Sequence, residues 1–533
     1  MKKRTIFYLP LLAIFYFNSC KSQETNNKRP NIIYIMTDDH SAEATGIYGG
    51  RLADLNITPN LDKLAETGMV FENCFVTNSI CTPSRASIIT GQYSQTNGVL
   101  DLWNELDIDK QYLPQELNKL GYETAIVGKW HLHKEPISFD YYKVFPNQGT
   151  YFDPEFREKG KGTWPDNVVK YKGHSSDVVT DNAMTWLNER KNKEKPFFLM
   201  YHFKAPHGMF EFNPKYESYL SDVKVPEPES LYHQPYWGSE ATRGKNDSLI
   251  HMMGSSISPR HRNRNYVNIY KTKQRGAEKE QTSAAYQEYL KRYLRCVKGV
   301  DDNLGRFFKY LKDNGLWENT IIVYTSDQGM MLGEHDLADK RWMFEESIRM
   351  PLIVHYPEGI KKGKRVDEIV NNTDFAPTLI EMAGGQAPDY MQGKSMKEIL
   401  GKGKATNWRE YTYYRYWMHM IHHDIPAHFG LRSKDYKLVF YYGRYHNLEK
   451  EGTLSMYWND ENNSNKVSPT PVAWEFYDLK KDPLELKNEY RNPEYKSVIE
   501  TMKLQLKAER KILNEEDDKY PHLKKIIDTH WEN

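Results

Sequence analysis

The feature of this 533-residue chain that most constrains its fold is the alternation of short apolar segments with amphipathic ones. Residues 31–36 and 69–76 are apolar runs typical of buried strands, and between them Pro59 starts a helix that Gly68 ends. The same order continues to an apolar run at residues 320–325, after a long stretch with apolar residues at helical spacing. This alternation predicts an α/β fold with a large, mostly parallel sheet and helices on both faces.

The later segments extend this pattern. The sequence predicts helices at residues 113–120 and 177–187 and around residues 290–311, and strands at residues 124–127 and 196–203. After about residue 400 the chain changes to short strand-like pieces, such as residues 436–442, and a charged helix from Tyr495 onward. We therefore expect a large domain at residues 29–400 and a smaller C-terminal α+β domain with an antiparallel sheet at residues 401–533.

Charge and composition exclude little beyond one class of partner. The chain has 73 basic and 72 acidic residues, which gives a formal net charge of +1. No overall electric field would draw it to nucleic acid, so we predict no nucleic-acid partner. With 39% hydrophobic residues, the chain can bury a large core without disulfide bonds.

Residues 1–20 look like an export signal. Basic residues at positions 2–4 precede an apolar run at residues 6–17, which is too short to span a bilayer comfortably. The run ends close to Cys20, which resembles a bacterial lipoprotein signal. We therefore expect export to the periplasm or cell surface, a lipid anchor at Cys20 and a polar tether at residues 21–28. The alternative is cleavage elsewhere, which would leave a soluble protein.

The chain has four cysteines, Cys20, Cys74, Cys81 and Cys296. Four are too few for a disulfide framework in an exported protein of this length, and no Cys-x-x-Cys pair suggests structural zinc. We expect Cys74 and Cys296 to be buried, and whether they pair is left open.

Two predicted strands end in oxygen ligands. Asp38 and Asp39 follow the strand at residues 31–36, and Asp327 and Gln328 follow the later strand in the same way. The carboxyl ends of the strands are where the active sites of open α/β sheets lie. Calcium prefers carboxylate and amide oxygens, so these four side chains predict one calcium site, and magnesium is the less favoured ion.

A proline marks a further candidate position. Pro83 predicts a helix that runs through Ile89, because proline suits the first helical turn. Cys81 would then lie at the positive end of this helix, where a developing negative charge is stabilised. Such a place suits a nucleophile, and the alternative is a buried cysteine without a role.

The segment from Cys81 to Gly91 reads Cys-Thr-Pro-Ser-Arg-Ala-Ser-Ile-Ile-Thr-Gly. It matches Cys-x-Pro-x-Arg, the signature of sulfatases whose cysteine is oxidised to formylglycine (3-oxoalanine). Residues 128–131 (Gly-Lys-Trp-His), 205–207 (Ala-Pro-His) and 474–483 resemble further elements of that family, in the same order. The chain is therefore similar to the formylglycine-dependent sulfatases, and the resemblance implies an alkaline-phosphatase-like fold and hydrolysis of sulfate esters.

The resemblance also implies a role for each candidate residue. It implies that a maturation enzyme converts Cys81 to formylglycine and that one calcium ion is held by residue 81 together with Asp38, Asp39, Asp327 and Gln328. The family often has Asn where this chain has Gln328. In the implied mechanism a hydroxyl of the aldehyde hydrate attacks sulfur, Arg85 stabilises the hydrate, Lys129 and Lys340 neutralise sulfate oxygens, His207 protonates the leaving alcohol, and His131 removes the proton that releases sulfate.

The substrate class follows from the same resemblance. The segments beside Cys81 and His207 look most like exported bacterial sulfatases of polysaccharide breakdown, including N-acetylglucosamine-6-sulfatases and enzymes for algal glycans such as ulvan. The resemblance therefore implies a sulfated carbohydrate as substrate. Two alternatives are a phosphonate or phosphodiester hydrolase of the same superfamily and a non-catalytic surface glycan-binding protein.

Three other groups of residues are candidates of lower rank. An alternating pair, His131 and His133, would share a strand face and could bind zinc, although oxygen-rich neighbours speak against it. The basic runs at residues 259–264 and 271–275 are expected to be solvated surface rather than a polyanion site. Four later histidines are expected to be surface residues, with a sugar subsite as the alternative: His419, His422, His423 and His428.

Overall fold

The computed structural model describes residues 28–232, 235–448 and 469–533. The predicted signal peptide with Cys20, and the predicted tether except Lys28, lie outside these ranges. Within them, no helix combines the length and the apolar character needed to span a bilayer.

Seventeen strands occur in the described residues. They are β1 (Asn31–Thr37), β2 (Met69–Phe75), β3 (Glu123–Gly128), β4 (Tyr141–Val144), β5 (Glu155–Glu158), β6 (Val168–Lys170), β7 (Phe197–His202), β8 (Ser255–Ser256), β9 (Thr320–Ser326), β10 (Met331–Leu332), β11 (Leu337–Asp339), β12 (Leu352–His355), β13 (Lys364–Asn371), β14 (Tyr411–Tyr416), β15 (His428–Ser433), β16 (Tyr436–Tyr441) and β17 (Ala473–Asp478).

Thirteen α-helices accompany them in the same part of the chain. They are α1 (Pro59–Thr67), α2 (Cys81–Thr90), α3 (Ser94–Asn97), α4 (Tyr112–Lys119), α5 (Ser175–Glu189), α6 (Glu240–Arg243), α7 (Tyr266–Ile269), α8 (Glu278–Asp313), α9 (Glu345–Ile348), α10 (Phe375–Met382), α11 (Lys397–Lys402), α12 (Lys496–Ile512) and α13 (Pro521–His530).

Ten of the described strands form one mixed sheet in the order β13-β2-β12-β9-β1-β7-β3-β4-β5-β6. Its centre is parallel, because β1 pairs in parallel with β7 and β9, and β3 pairs in parallel with β4 and β7. Strand β12 is antiparallel to β9 and β2. The predicted large, mostly parallel sheet is confirmed, and its antiparallel pairs make it mixed.

Helices cover both faces of this sheet, as the alternating sequence predicts. Side chains of β1 alternate between two apolar cores, with Ile33 and Ile35 in one and Tyr34 in the other. The first core contains residues of α1, α5 and α8, and the second contains residues of α2, α4 and α10. Because β1 is buried on both faces, its run of apolar residues follows from its central place.

The C-terminal part forms a four-stranded antiparallel sheet in the order β14-β15-β16-β17, and residues of α12 and α13 share its core. This confirms the predicted antiparallel sheet. Tyr93 and Leu100 from the first part of the chain join the same apolar core. The two sheets are therefore joined by packing, and the domain boundary near residue 400 stays a prediction.

A small third sheet places one more candidate residue. Strand β11 pairs with β10 and β8, both antiparallel. Lys340 directly follows β11 and is buried.

Candidate active site

Three carboxylates meet at the carboxyl ends of two neighbouring strands. Thr37 at the end of β1 is paired with Ser326 at the end of β9, so the residues that follow them lie side by side. Asp38, Asp39 and Asp327 are all buried, and each offers an oxygen within 4.8 Å of the others. The predicted convergence of the two strand ends therefore occurs.

Residue 81 lies beside these carboxylates at the start of α2. Cys81 is the first residue of the helix, is fully buried, and donates its S–H to Asp38 Oδ1 over 3.5 Å. Burial raises the pKa of this thiol to about 11, and Asp38 contributes to the rise. The unmodified thiol is therefore protonated at neutral pH and a poor nucleophile, because the thiolate is the reactive form of cysteine.

Arg85 lies one helical turn beyond residue 81 and ties the helix to the carboxylates. Its Nε donates to Asp327 Oδ2 over 2.9 Å, and its second guanidinium nitrogen lies 2.8 Å from the same oxygen. It also donates to the carbonyl oxygen of Lys129 over 2.8 Å. The guanidinium thus fixes the strand ends of β9 and β3 relative to α2.

Two buried lysines neutralise the aspartates. Lys129 follows β3 and donates to Asp38 Oδ2, and Lys340 donates to Asp39 Oδ1 over 2.7 Å. Burial alone would raise the pKa of Asp38, but Lys129, His207 and Arg85 outweigh it and hold this pKa well below the usual range.

The pKa of Asp327 is shifted in the opposite direction from that of Asp38. Burial raises its pKa to about 8, and the charge of Asp38 adds to the rise, although Arg85 opposes it. One of the three carboxylates is therefore hard to ionise at neutral pH unless further positive charge is supplied. A cation at this point would relieve the repulsion.

The donor set fits a calcium ion. Besides the three carboxylates, Gln328 places its side-chain Oε1 in a buried position where it has no hydrogen-bond partner among the described residues. A buried oxygen without a donor is costly, and coordination of a cation would satisfy it. The residues that would hold the ion are Asp38, Asp39, Asp327 and Gln328, all with the hard oxygen ligands that calcium prefers.

His207 is held with one ring nitrogen towards the carboxylates. Its Nδ1–H donates to the carbonyl oxygen of Gly208 over 2.6 Å, so Nε2 is the nitrogen that faces Asp39, at 3.9 Å from Oδ2. Burial lowers the pKa of this imidazole well below its usual value, and Lys340 and Lys129 add to this, although Asp38 opposes the shift.

The prediction that His131 and His133 share a strand face is wrong. Strand β3 ends at Gly128, and both histidines have left-handed backbone, with φ of 56° and 65°. His133 Nε2 donates to the carbonyl oxygen of Leu102 over 2.8 Å, whereas His131 Nδ1 is buried without a hydrogen-bond partner among the described residues. The two ring centroids lie 5.7 Å apart, but Nε2 of His133 is engaged by a backbone carbonyl oxygen, so the two rings do not form the alternating zinc pair.

Three residues beside the centre were missed from the sequence. Gln148 accepts a hydrogen bond from Lys129, Lys204 is buried among the positive groups, and Tyr293 donates to the carbonyl oxygen of Asp39 over 2.8 Å. Tyr293 belongs to the apolar stripe of α8 and reads as an ordinary core residue. Lys204 directly precedes the Ala-Pro-His segment, which was the one available signal.

Two expectations for the remaining polar clusters need correction. His419 and His428 are fully buried, so they are not surface residues. The basic run at residues 259–264 is only partly solvated, because Arg260 pairs with Asp336 and Arg264 with Asp424. These charges are partnered within the fold, which sequence composition could not indicate.

A buried cysteine at a helix N-terminus, beside carboxylates that could hold a cation, fits one class of enzyme: the hydrolases of anionic esters. A family model described as sulfatase matches residues 30–385, and one described as N-sulphoglucosamine sulphohydrolase, C-terminal, matches residues 333–455. The chain belongs to the sulfatase family and is a sulfuric ester hydrolase. The resemblance inferred from the sequence is confirmed.

Individual relatives are similar over most of their length. The N-acetylglucosamine-6-O-sulfatase of Bacteroides thetaiotaomicron is 37% identical over 546 aligned residues, which cover 96% of this chain and 91% of that protein. An ulvan-active sulfatase of Formosa agariphila is 29% identical, covering 75% of this chain and 72% of that protein. A protein solved in complex with its substrate D-glucosamine-2-N,6-O-disulfate superposes with a TM-score of 0.78 at 34% identity, covering 92% of this chain and 99% of the other.

Proposed function

We propose that this chain is an exported sulfatase that removes sulfate from a sulfated carbohydrate by means of formylglycine at residue 81. The observation that carries the proposal is the placement of Cys81 at the start of α2, in contact with Asp38 and Gln328, in a chain of the sulfatase family. An aldehyde hydrate there would supply an oxygen nucleophile for sulfur without needing a thiolate.

We propose calcium as the resident metal. When bound, the ion supplies positive charge that stabilises developing negative charge on the sulfate oxygens. The three carboxylates and the unpartnered amide oxygen of Gln328 support an oxygen-preferring cation. Arg85 would keep Asp327 oriented towards this place through its guanidinium.

Two lysines and two histidines would bind the sulfate group and transfer protons. Lys129 and Lys340 are buried and would each donate to a sulfate oxygen, which holds the ester against residue 81. His207 would donate a proton from Nε2 to the leaving alcohol as the imidazolium, because the negative charge of a bound sulfate ester favours the protonated ring while Nδ1–H stays bonded to the Gly208 carbonyl oxygen. His131 would accept the proton whose removal releases sulfate and restores the aldehyde.

The relatives support an amino sugar as the substrate. The curated relative at 37% identity acts on 6-O-sulfated N-acetylglucosamine, as its name states, and the similar solved structure holds a 6-O-sulfated glucosamine. We therefore propose 6-O-sulfated N-acetylglucosamine or glucosamine as the substrate, with a sulfated algal glycan of the ulvan type as the second choice.

A maturation enzyme, a location and a lipid anchor complete the proposal. A formylglycine-generating enzyme would convert Cys81 before the buried site closes around it. The export signal at residues 1–20 would deliver the chain to the periplasm or cell surface, with a lipid at Cys20 as the anchor.

The test combines one mass measurement with one activity measurement. The chain is co-expressed with a formylglycine-generating enzyme, and the peptide that contains residue 81 is examined by mass spectrometry. We expect the mass of the aldehyde and calcium-dependent sulfate release from 6-O-sulfated N-acetylglucosamine, which C81A abolishes. Full conversion without release from any sulfated sugar, but with cleavage of a phosphonate monoester or phosphodiester, would replace the proposal with the related hydrolase.

A further inference from the structure

Gln148 covers the buried ammonium group of Lys129. Lys129 is completely buried, whereas Gln148 is half-buried and accepts a hydrogen bond from Lys129 Nζ through its side-chain Oε1. The Gln148 amide therefore occupies one of the hydrogen-bonding directions of the Lys129 ammonium group. The position of Gln148 follows from the sheet, because Val144 at the end of β4 is paired with Gly128, directly before Lys129.

The backbone around Gln148 is shaped to keep its side chain there. Both neighbours have left-handed backbone, with φ of 50° at Asn147 and 67° at Gly149. A Cβ atom on Gly149 would lie 2.7 Å from Cγ of Phe145, so a larger residue would not fit. Non-glycine residues adopt such a backbone rarely and at a cost, and it persists where the surrounding structure requires it.

The loop is also fastened to the other cationic groups. Lys204 donates to the backbone carbonyl oxygen of Gln148 over 3.2 Å and lies 5.1 Å from the ring centre of Tyr151. The Tyr151 hydroxyl donates to the carbonyl oxygen of His207 over 2.6 Å. One short loop thus connects Lys129 to the segment that positions the proposed proton donor.

The hydrogen-bond donors of Lys129 indicate what Gln148 does. An ammonium group has three N–H bonds, and in the described residues two of them are directed at Asp38 Oδ2 and Gln148 Oε1. The direction of the third is then fixed by the first two. Gln148 also keeps an amide NH₂ group for the ligand, since its oxygen is used by Lys129.

We propose that Gln148 both binds sulfate and positions Lys129 for sulfate recognition. It sets the third N–H of Lys129 towards one sulfate oxygen, and its Nε2 donates to the bound sulfate group. The proposal rests on the proposed function, because it assumes that Lys129 binds the sulfate of the ester. It predicts an effect on sulfate affinity and little effect on the chemical step.

Two variants separate the role of the amide from the shape of the side chain. Q148M keeps the length but removes both the acceptor and the donor, and Q148E keeps an oxygen for Lys129 but replaces the donor with a negative charge. We expect Q148M to raise KM for the sulfated sugar and the inhibition constant of inorganic sulfate about tenfold, as for the loss of a hydrogen bond to a charged group. Q148E should raise both by more, with kcat changed less than about threefold.

The matched control is Q505E, which adds the same charge at a half-buried glutamine on α12. It should leave KM and sulfate inhibition unchanged. Calorimetric titration of the C81A form with inorganic sulfate checks the affinities without turnover. If Q148M and Q148E fold with the melting temperature of the wild type and bind sulfate as tightly, or lower kcat at constant KM, the inference is wrong. Failure of the wild type to release sulfate from any sugar would instead remove the proposed function.

Discussion

The backbone N–H of Asp39 donates a hydrogen bond to Oδ1 of Asp327 over 3.1 Å. This bond joins the residues that follow β1 and β9, two neighbouring parallel strands, among buried charged side chains. The other oxygen of Asp327 accepts from Arg85, so the carboxylate is fixed from two sides. The fold itself therefore holds these carboxylates in place. We expect a bound cation to stabilise the folded state without rearranging them.

Metal removal should lower stability. Three carboxylates crowd together in the apo form, so a cation that binds the folded state should raise the free energy of unfolding, by about 2.7 kcal/mol at a hundredfold excess over its Kd. We expect treatment with a calcium chelator to lower Tm and added Ca²⁺ to restore it, with Mg²⁺ less effective. Q328M lacks the amide oxygen and should show a smaller rise. Equal melting curves with and without Ca²⁺ would show that these carboxylates do not bind this ion.

The dependence of the rate on the leaving group tests the role of His207 as proton donor. A proton donor matters most for an alcohol that leaves poorly, and general acid catalysis contributes roughly 10² to 10⁴ in rate. H207Q should therefore lose about this factor in kcat on a sugar sulfate and much less on 4-nitrophenyl sulfate, whose phenolate leaves readily. H530Q is the control, because His530 ends α13, whose apolar residues pack in the core of the C-terminal sheet. Equal losses on both esters would contradict the assignment.

The Tyr293 hydroxyl should contribute to stability. It donates to the carbonyl oxygen of Asp39 over 2.8 Å and accepts from the N–H of Ser41 over 2.9 Å, and all three groups are buried. Y293F leaves both backbone groups without a partner, which we expect to cost about 2 kcal/mol in denaturant unfolding. Y310F changes a half-buried tyrosine of the same helix and should have a smaller effect. Equal costs for the two variants would show that the Asp39 contact is unimportant.

The residues that follow regular strands could be predicted from the sequence. Asp38, Asp39, Asp327 and Gln328 directly follow apolar runs, and the geometry of a parallel sheet brings such positions to one edge. Cys81 could be placed because Pro83 marks a first helical turn, and the helix begins at Cys81. In these places local pattern and global fold agree.

The residues on irregular backbone could not be predicted in the same way. Gln148 lies between two residues of positive φ, and His131 and His133 also have positive φ, so no strand or helix period relates them to their neighbours. The burial of His419 and His428 depends on how the C-terminal sheet packs, which a single sequence does not show. Tertiary packing decided these positions.

A buried carboxyl group far along the chain should make stability depend on pH. Burial raises the pKa of Glu515 to about 7, although Arg415 opposes the shift. Because this folded-state pKa lies above the ordinary value of 4.5, the stability that Glu515 contributes is fully present below about pH 4.5 and is lost as the pH rises through about 7. E515Q keeps an acceptor for the Gln95 N–H and removes the ionisation. Its free energy of unfolding should therefore exceed that of the wild type by up to about 3 kcal/mol at pH 8, and the two values should converge near pH 4.5.

Denaturant unfolding across this pH range measures the difference, with E500Q on the exposed side of α12 as the control. A difference between E515Q and wild type that does not change with pH would show that Glu515 is not the titrating group.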